Sequence, residues 1–173
     1  VADIYMNDAN YGPMNLTNVT LAHENISFSE SGNQTVNRLW YVQTNITDKA
    51  GSTIGYVNIT INDKDSMRRY NGLTGNDGQI TRQALLQYWM NRTSNYYYSN
   101  YTVNATRPGY ASNQSSINLT TNIRVNLTLT GLPLTINISI TPTAVNSSQI
   151  INVSGRLNDS NGAGVPNQTI RMF

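Results

Sequence analysis

The strongest constraint on the fold of this 173-residue chain is a two-residue alternation of apolar and uncharged polar side chains, repeated in short runs. From Leu39 to Thr47, Trp40, Val42, Thr44 and Ile46 occupy every second position. An extended strand places them on one face, whereas a helix would scatter them around its surface. Ile54 to Ile61 continues the pattern with Val57, Ile59 and Ile61, and Tyr96 to Ala105 does so with Tyr101, Val103 and Ala105. Ser115 to Leu119 and Ile123 to Leu129 are further alternating runs. Turn sequences separate them: Asp48-Lys49-Ala50-Gly51, Gly75-Asn76-Asp77-Gly78 and Arg107-Pro108-Gly109-Tyr110. In these, Gly permits positive φ and Pro holds a negative one. Ile80 to Met90 reads two ways. Ala84, Leu85, Tyr88 and Trp89 fit a helical face, but they also fit a strand with a bulge, and the β surroundings favour the strand. Six or seven short strands in about 90 residues predict an all-β fold, an antiparallel immunoglobulin-like sandwich.

The chain divides into three. Residues 1–36 form a polar, Asn-rich extension with apolar points at Leu16, Val19, Leu21, Ile26 and Phe28, suited to two short strands or to a strand added at a sheet edge. Within it, Ser29 to Asn37 reads as a loop. Residues 37–130 carry the sandwich. After Gly131-Leu132-Pro133, residues 131–173 begin a second one, with strands expected at Leu134 to Ile140, Ile150 to Leu157 and Gln168 to Phe173. An offset of 111 lays Val42 on Val153, Asp48 on Asp159, Gly51 on Gly162 and Ile59 on Ile170, which points to tandem sandwiches. The second sandwich is incomplete here. The chain is either a piece of a longer protein or a subunit completed by a neighbour. In the second case, residues 1–36 of another copy would donate a strand, and such heterologous contacts build a head-to-tail fibre.

Polar content then speaks to compartment. The chain holds 26 Asn, and 17 of them begin an Asn-x-Ser/Thr triplet, none with Pro in the middle. With Ser and Thr at 35 of 173 positions, chance accounts for about 5. The set is Asn15, Asn18, Asn25, Asn33, Asn45, Asn58, Asn91, Asn100, Asn104, Asn113, Asn118, Asn126, Asn137, Asn146, Asn152, Asn158 and Asn167. Such triplets accept N-linked glycans outside the cytoplasm, so the expectation is an exported, sugar-coated protein and not a cytosolic enzyme. Strand alternation turns Asn45, Asn58, Asn118 and Asn126 outward. Charged residues are only 12 %, so amides, hydroxyls and sugars must keep the surface soluble, which suits a prokaryotic or archaeal cell exterior. No Cys is present to staple the fold. Nucleic acid is an unsuitable partner, because no basic cluster extends beyond Arg68-Arg69. No run approaches the 18 apolar residues of a spanning helix. The start, Val1-Ala2-Asp3-Ile4, lacks the charged and apolar regions of a signal peptide and reads as a processed or internal beginning.

Candidate chemistry is sparse. His23 is the single histidine, so a catalytic triad or zinc site would rest on it alone, and it reads as a surface residue. Asp63, Asp65 and Asp77, with Asn62 and Asn76, offer oxygen ligands for calcium, although the spacing departs from an EF-hand. Lys49 and Lys64, the only lysines, fall in turns, where an isopeptide crosslink is not expected. Trp89, Tyr96, Tyr97, Tyr98 and Tyr101 concentrate aromatic surface that could bury at a protein contact or stack on sugar, or in part fill the core.

Leu39 to Leu129 resembles a domain of large archaeal cell-surface proteins, akin to carboxypeptidase-regulatory-like and transthyretin-like sandwiches. The resemblance rests on LWYVQTNITDKAGSTIGYVNITI, on Thr74 to Gly78 before the middle strand, and on Arg107 to Tyr110 late in the domain. The family's first turn usually continues Pro-Val-x-Gly-Ala, where this chain has Ser52-Thr53-Ile54-Gly55-Tyr56. Residues 134–172 resemble the opening of a bacterial immunoglobulin-like repeat, and residues 1–35 the tail of parallel β-helix repeats. The resemblance implies a non-enzymatic, extracellular scaffold at the cell surface, a self-associating filament or surface-layer component without a cofactor. The alternative is an adhesin or carbohydrate-binding module, free-standing or appended to a larger secreted protein such as a hydrolase.

Overall fold

The computed structural model describes residues 4–7, 12–21, 25–29, 34–141, 152–159, 162, 164 and 165. Its strands are β1 (Ile4–Met6), β2 (Met14–Thr17), β3 (Ile26–Phe28), β4 (Val36–Thr47), β5 (Asn58–Asn62), β6 (Arg68–Leu73), β7 (Gln83–Met90) and β8 (Asn95–Tyr97). They continue with β9 (Tyr101–Thr106), β10 (Tyr110–Ala111), β11 (Asn113–Ile117), β12 (Ile123–Thr128), β13 (Thr130–Gly131), β14 (Leu134–Thr141) and β15 (Asn152–Asp159). No described helix is long and apolar enough to cross a membrane.

Two sheets face each other, and the fold is the all-β, immunoglobulin-like sandwich expected from alternation. In the first sheet β4 is the spine. On one side β7 runs antiparallel to it, with β8 beyond; on the other, β2 and β12 lie end to end, both parallel to β4. The second sheet has the order β11-β9-β5-β6 and is antiparallel throughout. Val42 and Ile46 of β4 meet Ile59, Ile61 and Val103 of the opposite sheet in one core, and all five are fully buried. Burial stabilises each such aliphatic side chain by about 1.5–3 kcal/mol relative to exposure.

Within Ile80 to Met90, Gln83–Met90 is a strand with a bulge, and Ile80 to Arg82 precede it. Arg38 lies opposite Tyr88 but Leu39 opposite Leu86, so Gln87 is the extra residue. A bulge shifts the inward set by one position, which brings Leu85 and Tyr88, three apart, both into the interior. That spacing is what mimics a helical face. Gln87 is held in place as its Oε1 accepts the Trp40 indole N–H at 2.7 Å.

Two expected strands are shorter than their alternation. Ile54 and Val57 are buried, but Tyr56 has φ 54° and regular pairing begins only at Asn58. Tyr96 to Ala105 is two strands in different sheets. Between them the Tyr98 N–H donates to Gln87 O of the first sheet, while Tyr98 O accepts from Lys64 N beside the second.

The offset of 111 reappears as geometry. Gly51 N donates to Asp48 O at 3.1 Å, and Gly162 N to Asp159 O at 2.9 Å; the two glycines have φ 84° and 79°. Bridges join Thr47 to Thr53 and Asn158 to Gly164, and Ile54 N to Ile46 O is matched by Val165 N to Leu157 O. Every one of these pairs differs by 111. β14 pairs antiparallel with β15, the second of these turns follows β15 directly, and the Gly109 N–H donates to Asp159 Oδ2 at 3.3 Å, tying the turn to the sandwich. Gln168 to Phe173 lies outside the described residues.

The N-terminal extension is built into its own chain. β2 pairs with β4 and β1 with β3, both in the parallel sense, around a second core of Met6, Ile26, Val36, Tyr88 and Met90. Of the two expected forms of this extension, the chain itself shows short strands, paired within the chain. Within the expected Ser29 to Asn37 loop, Val36 and Asn37 already belong to β4.

Candidate functional site

The outward faces of the sandwich are the candidate site, and their composition follows from strand periodicity. In an Asn-x-Thr triplet lying on a strand, Asn and Thr share one face and the middle residue takes the other. Here the middle residues Ile46, Ile59, Ala105 and Leu127 are buried. Pairing then brings the triplets together. In the parallel β4–β12 ladder Asn126 lies opposite Asn45, and Thr128 opposite Thr47. In the antiparallel β5–β9 ladder Asn58 lies opposite Thr106, and Thr60 opposite Asn104. Neighbouring strands are about 4.8 Å apart, so each pair is a compact patch of amides and hydroxyls.

The other acceptors scatter. Asn15, Asn18, Asn100, Asn118 and Asn126 are exposed, whereas Asn25, Asn45, Asn58, Asn91, Asn104, Asn113 and Asn158 are half-buried. Asn91 shapes a turn: its Oδ1 accepts the N–H groups of Thr93 at 2.9 Å and Ser94 at 2.7 Å. The Asn113 amide donates to Thr128 O at 2.9 Å. Asn137 lies on β14 and Asn152 on β15. Asn33, Asn146 and Asn167 fall outside the described residues, as does His23.

Two asparagines outside any triplet belong to the same network and escape a motif search. Asn37 donates to Asn15 Oδ1 at 2.9 Å. Asn122 donates to Asn18 Oδ1 at 2.7 Å and accepts the Tyr41 N–H at 2.9 Å, bridging the gap between β2 and β12. Only register reveals them, because their partners are up to 104 residues away.

The three aspartates are not brought together in the described structure. Asp63 is buried and saturated: Oδ1 accepts the N–H groups of Asp65 and Met67 at 3.0 and 2.9 Å, and Oδ2 accepts Arg69 Nε at 2.6 Å. Asp77 Oδ1 accepts the Gln79 N–H in its turn. Among the described residues no three His, Cys, Asp or Glu side chains converge. Arg69, whose guanidinium occupies Asp63, is the partner that sequence reading missed.

The aromatic set divides. Tyr101 is 1 % exposed and belongs to the core, with its hydroxyl donating to Leu86 O at 2.6 Å. It presents no interface, and burial pushes its phenol pKa well up. Tyr98 leans on the core edge under Arg69 and packs edge-on against Tyr96, with ring centroids 5.1 Å apart. Trp89 is half-buried opposite Tyr96, whereas Tyr97 is 45 % exposed.

Tyr96 also belongs to a surface triad. Lys64 Nζ donates to the Tyr96 hydroxyl at 3.0 Å and to Asp65 at 3.1 Å, and the Tyr96 hydroxyl donates to Asp65 Oδ2. The Tyr96 hydrogen bond, then that from Lys64, holds the Asp65 carboxyl below the ordinary aspartate value. A depressed carboxyl contributes stability above its unfolded pKa and loses it as pH falls through the lower folded one. Carboxyl NMR should show Asp65 titrating below ordinary aspartates, and Tyr96→Phe should move it back toward them. An unchanged Asp65 midpoint in that variant would remove Tyr96 as the cause.

No protein-family model matches the chain, and no curated protein does. Among solved structures it is similar to the TIE protein of Bacillus anthracis, at 12 % identity and TM-score 0.44 over 65 % of this chain and 20 % of that one. It is also similar to BcpA, the major pilin subunit of Bacillus cereus, at 14 % identity and TM-score 0.41 over 69 % and 37 %. A streptococcal ancillary pilin is similar at 10 % identity and TM-score 0.41 over 88 % and 62 %. The chain thus spans less than two thirds of each of these structures.

Proposed function

We propose that this chain is a structural, N-glycosylated component of an extracellular archaeal assembly, a filament or surface layer built from copies of itself. The observation that supports this best is the pairing of acceptor triplets in register on the outer faces of both sheets, Asn45 with Asn126 and Asn58–Thr60 with Asn104–Thr106. Such faces carry hydrogen-bonding capacity without charge, and glycans on them would shield the sandwich. Residues 37–130 would supply one sandwich, residues 131–173 the start of a second, and residues 1–36 an extension folded against the first. The covalent glycans are the only added group that this reading requires. Glycopeptide mass spectrometry of native material, with electron microscopy of the cell surface, tests it. Modified peptides containing these asparagines, in an ordered array of copies, are expected. Unmodified, monomeric protein would end the proposal.

The second reading, a carbohydrate-binding adhesin, draws on exposed Tyr97 beside half-buried Trp89. It requires that soluble polysaccharide change Trp89 fluorescence in the parent and not in a Tyr97→Ala variant.

A further inference from the structure

We propose that β1 with β2, and β3 with the start of β4, are two successive rungs of a parallel β-solenoid, and that the free edge of β1 and β2 is a docking surface for a third rung of the same period. Ile4 pairs with Ile26 and Met14 with Val36, each 22 residues apart, and all seven paired positions keep that interval. Two independent strand pairs with one offset define a coil that advances by one strand spacing per 22 residues. Side chains then stack in columns: Ile4 on Ile26, Met6 on Phe28, Met14 on Val36 and Asn15 on Asn37.

Met6 is buried, but the other columns are better covered at the second rung than at the first. Val36, covered by the first rung, is fully buried, while Met14, the same position one rung earlier, is 38 % exposed. The Asn column is hydrogen-bonded, Asn37 Nδ2 donating to Asn15 Oδ1 at 2.9 Å, so Asn15 stands at its open end. No described strand pairs with the other side of β1 or β2. Neither strand carries a charged residue, the device that commonly blocks an open edge.

These features specify the occupant. It is a polypeptide segment running parallel to β1 and β2, with apolar residues at its first, third and eleventh positions and Asn at its twelfth. Ile4, Met6, Met14 and Asn15 follow this pattern, as do Ile26, Phe28, Val36 and Asn37. A second copy related by a two-fold axis does not qualify, because sharing this edge would make the strands antiparallel. The inference does not depend on glycosylation or assembly.

The test is a chain in which residues 4–25 are duplicated ahead of Ile4. The added rung should slow hydrogen exchange of the original Ile4–Met6 and Met14–Thr17 amides about tenfold, as expected when open edge groups gain partners. The original Met14 should become correspondingly resistant to peroxide. A duplication with Asp at the copies of Met6 and Met14 should give neither effect. The proposal falls if the original β1 and β2 amides exchange as in the parent, or if the duplicated chain loses protection in β4, β5 and β9. Concentration-dependent protection of the same amides in the parent chain would assign the edge to a second copy and also overturn it.

Discussion

Gly78→Ala should destabilise the chain by about 3 kcal/mol, lowering the melting temperature by about 6–12 °C for a protein of this size. Gly78 has φ 71°, where a Cβ costs about 1–2 kcal/mol of backbone strain. Strain is only part of the effect. A Cβ there would lie 2.5 Å from Ile46 O, inside van der Waals contact with the spine of the first sheet. The turn cannot withdraw freely, since Gly78 O accepts the Ile46 N–H at 3.0 Å and the Ile80 N–H donates to the buried Thr44 hydroxyl at 3.2 Å. Gly51 supplies the control. Its φ is 84° but nothing lies near its absent Cβ, so Gly51→Ala should cost only the strain, about 1–2 kcal/mol. Thermal unfolding of both variants separates the contributions, and equal losses would show that the Ile46 contact is irrelevant.

Asp63→Ala should cost about 3 kcal/mol, because it strips a buried carboxylate from every donor around it. The N–H groups of Asp65 and Met67 lose their acceptor, and Arg69 loses its counter-charge. The turn they close contains Ser66 at φ 63° and has few alternatives for satisfying those groups. Asp63→Asn keeps an acceptor for the backbone and should recover about half of the loss. Urea unfolding distinguishes the two. If Asn were as damaging as Ala, the ion pair and not the turn would carry the stability. Addition of calcium should protect neither the parent nor the variants.

Several elements were legible from local sequence because their signals are local. Trp40, Val42 and Ile46 are inward, as alternation requires, and Asp48 to Gly51 and Arg107 to Tyr110 turn where Gly and Pro say they should. Other signals misled for identifiable reasons. The three-residue spacing of Leu85 and Tyr88 is a bulge at Gln87, which imitates helical periodicity. Alternation runs through Tyr96 to Ala105, yet the chain changes sheets at Tyr98, since period two records a face but not a partner. Tyr101 carried two signals, an inward place in the alternation and membership of a tyrosine-rich candidate surface, and it is core. Asp63, Asp65 and Asp77 suit both a cation and a turn in the sequence; in the structure Asp63 closes a turn and is paired with Arg69, and Asp77 accepts the Gln79 N–H in its own turn.

The acceptor triplets changed meaning most. As composition they argued for export. On strands, the same Asn-x-Thr spacing is also what an outward face of asparagine and threonine over an inward aliphatic produces.

Alternation and turn residues by themselves determined the all-β class, the inward residues and the 111-residue repeat, because each is a property of neighbours along the chain. Only the tertiary structure decided that Asn45 stands beside Asn126, that Asp63 is saturated, and that β1 pairs with β3 and β2 with β4 at one 22-residue interval. Those outcomes depend on which strands pair and in what register. That choice is made by burial and hydrogen bonding between segments far apart in sequence, and a local pattern is blind to it.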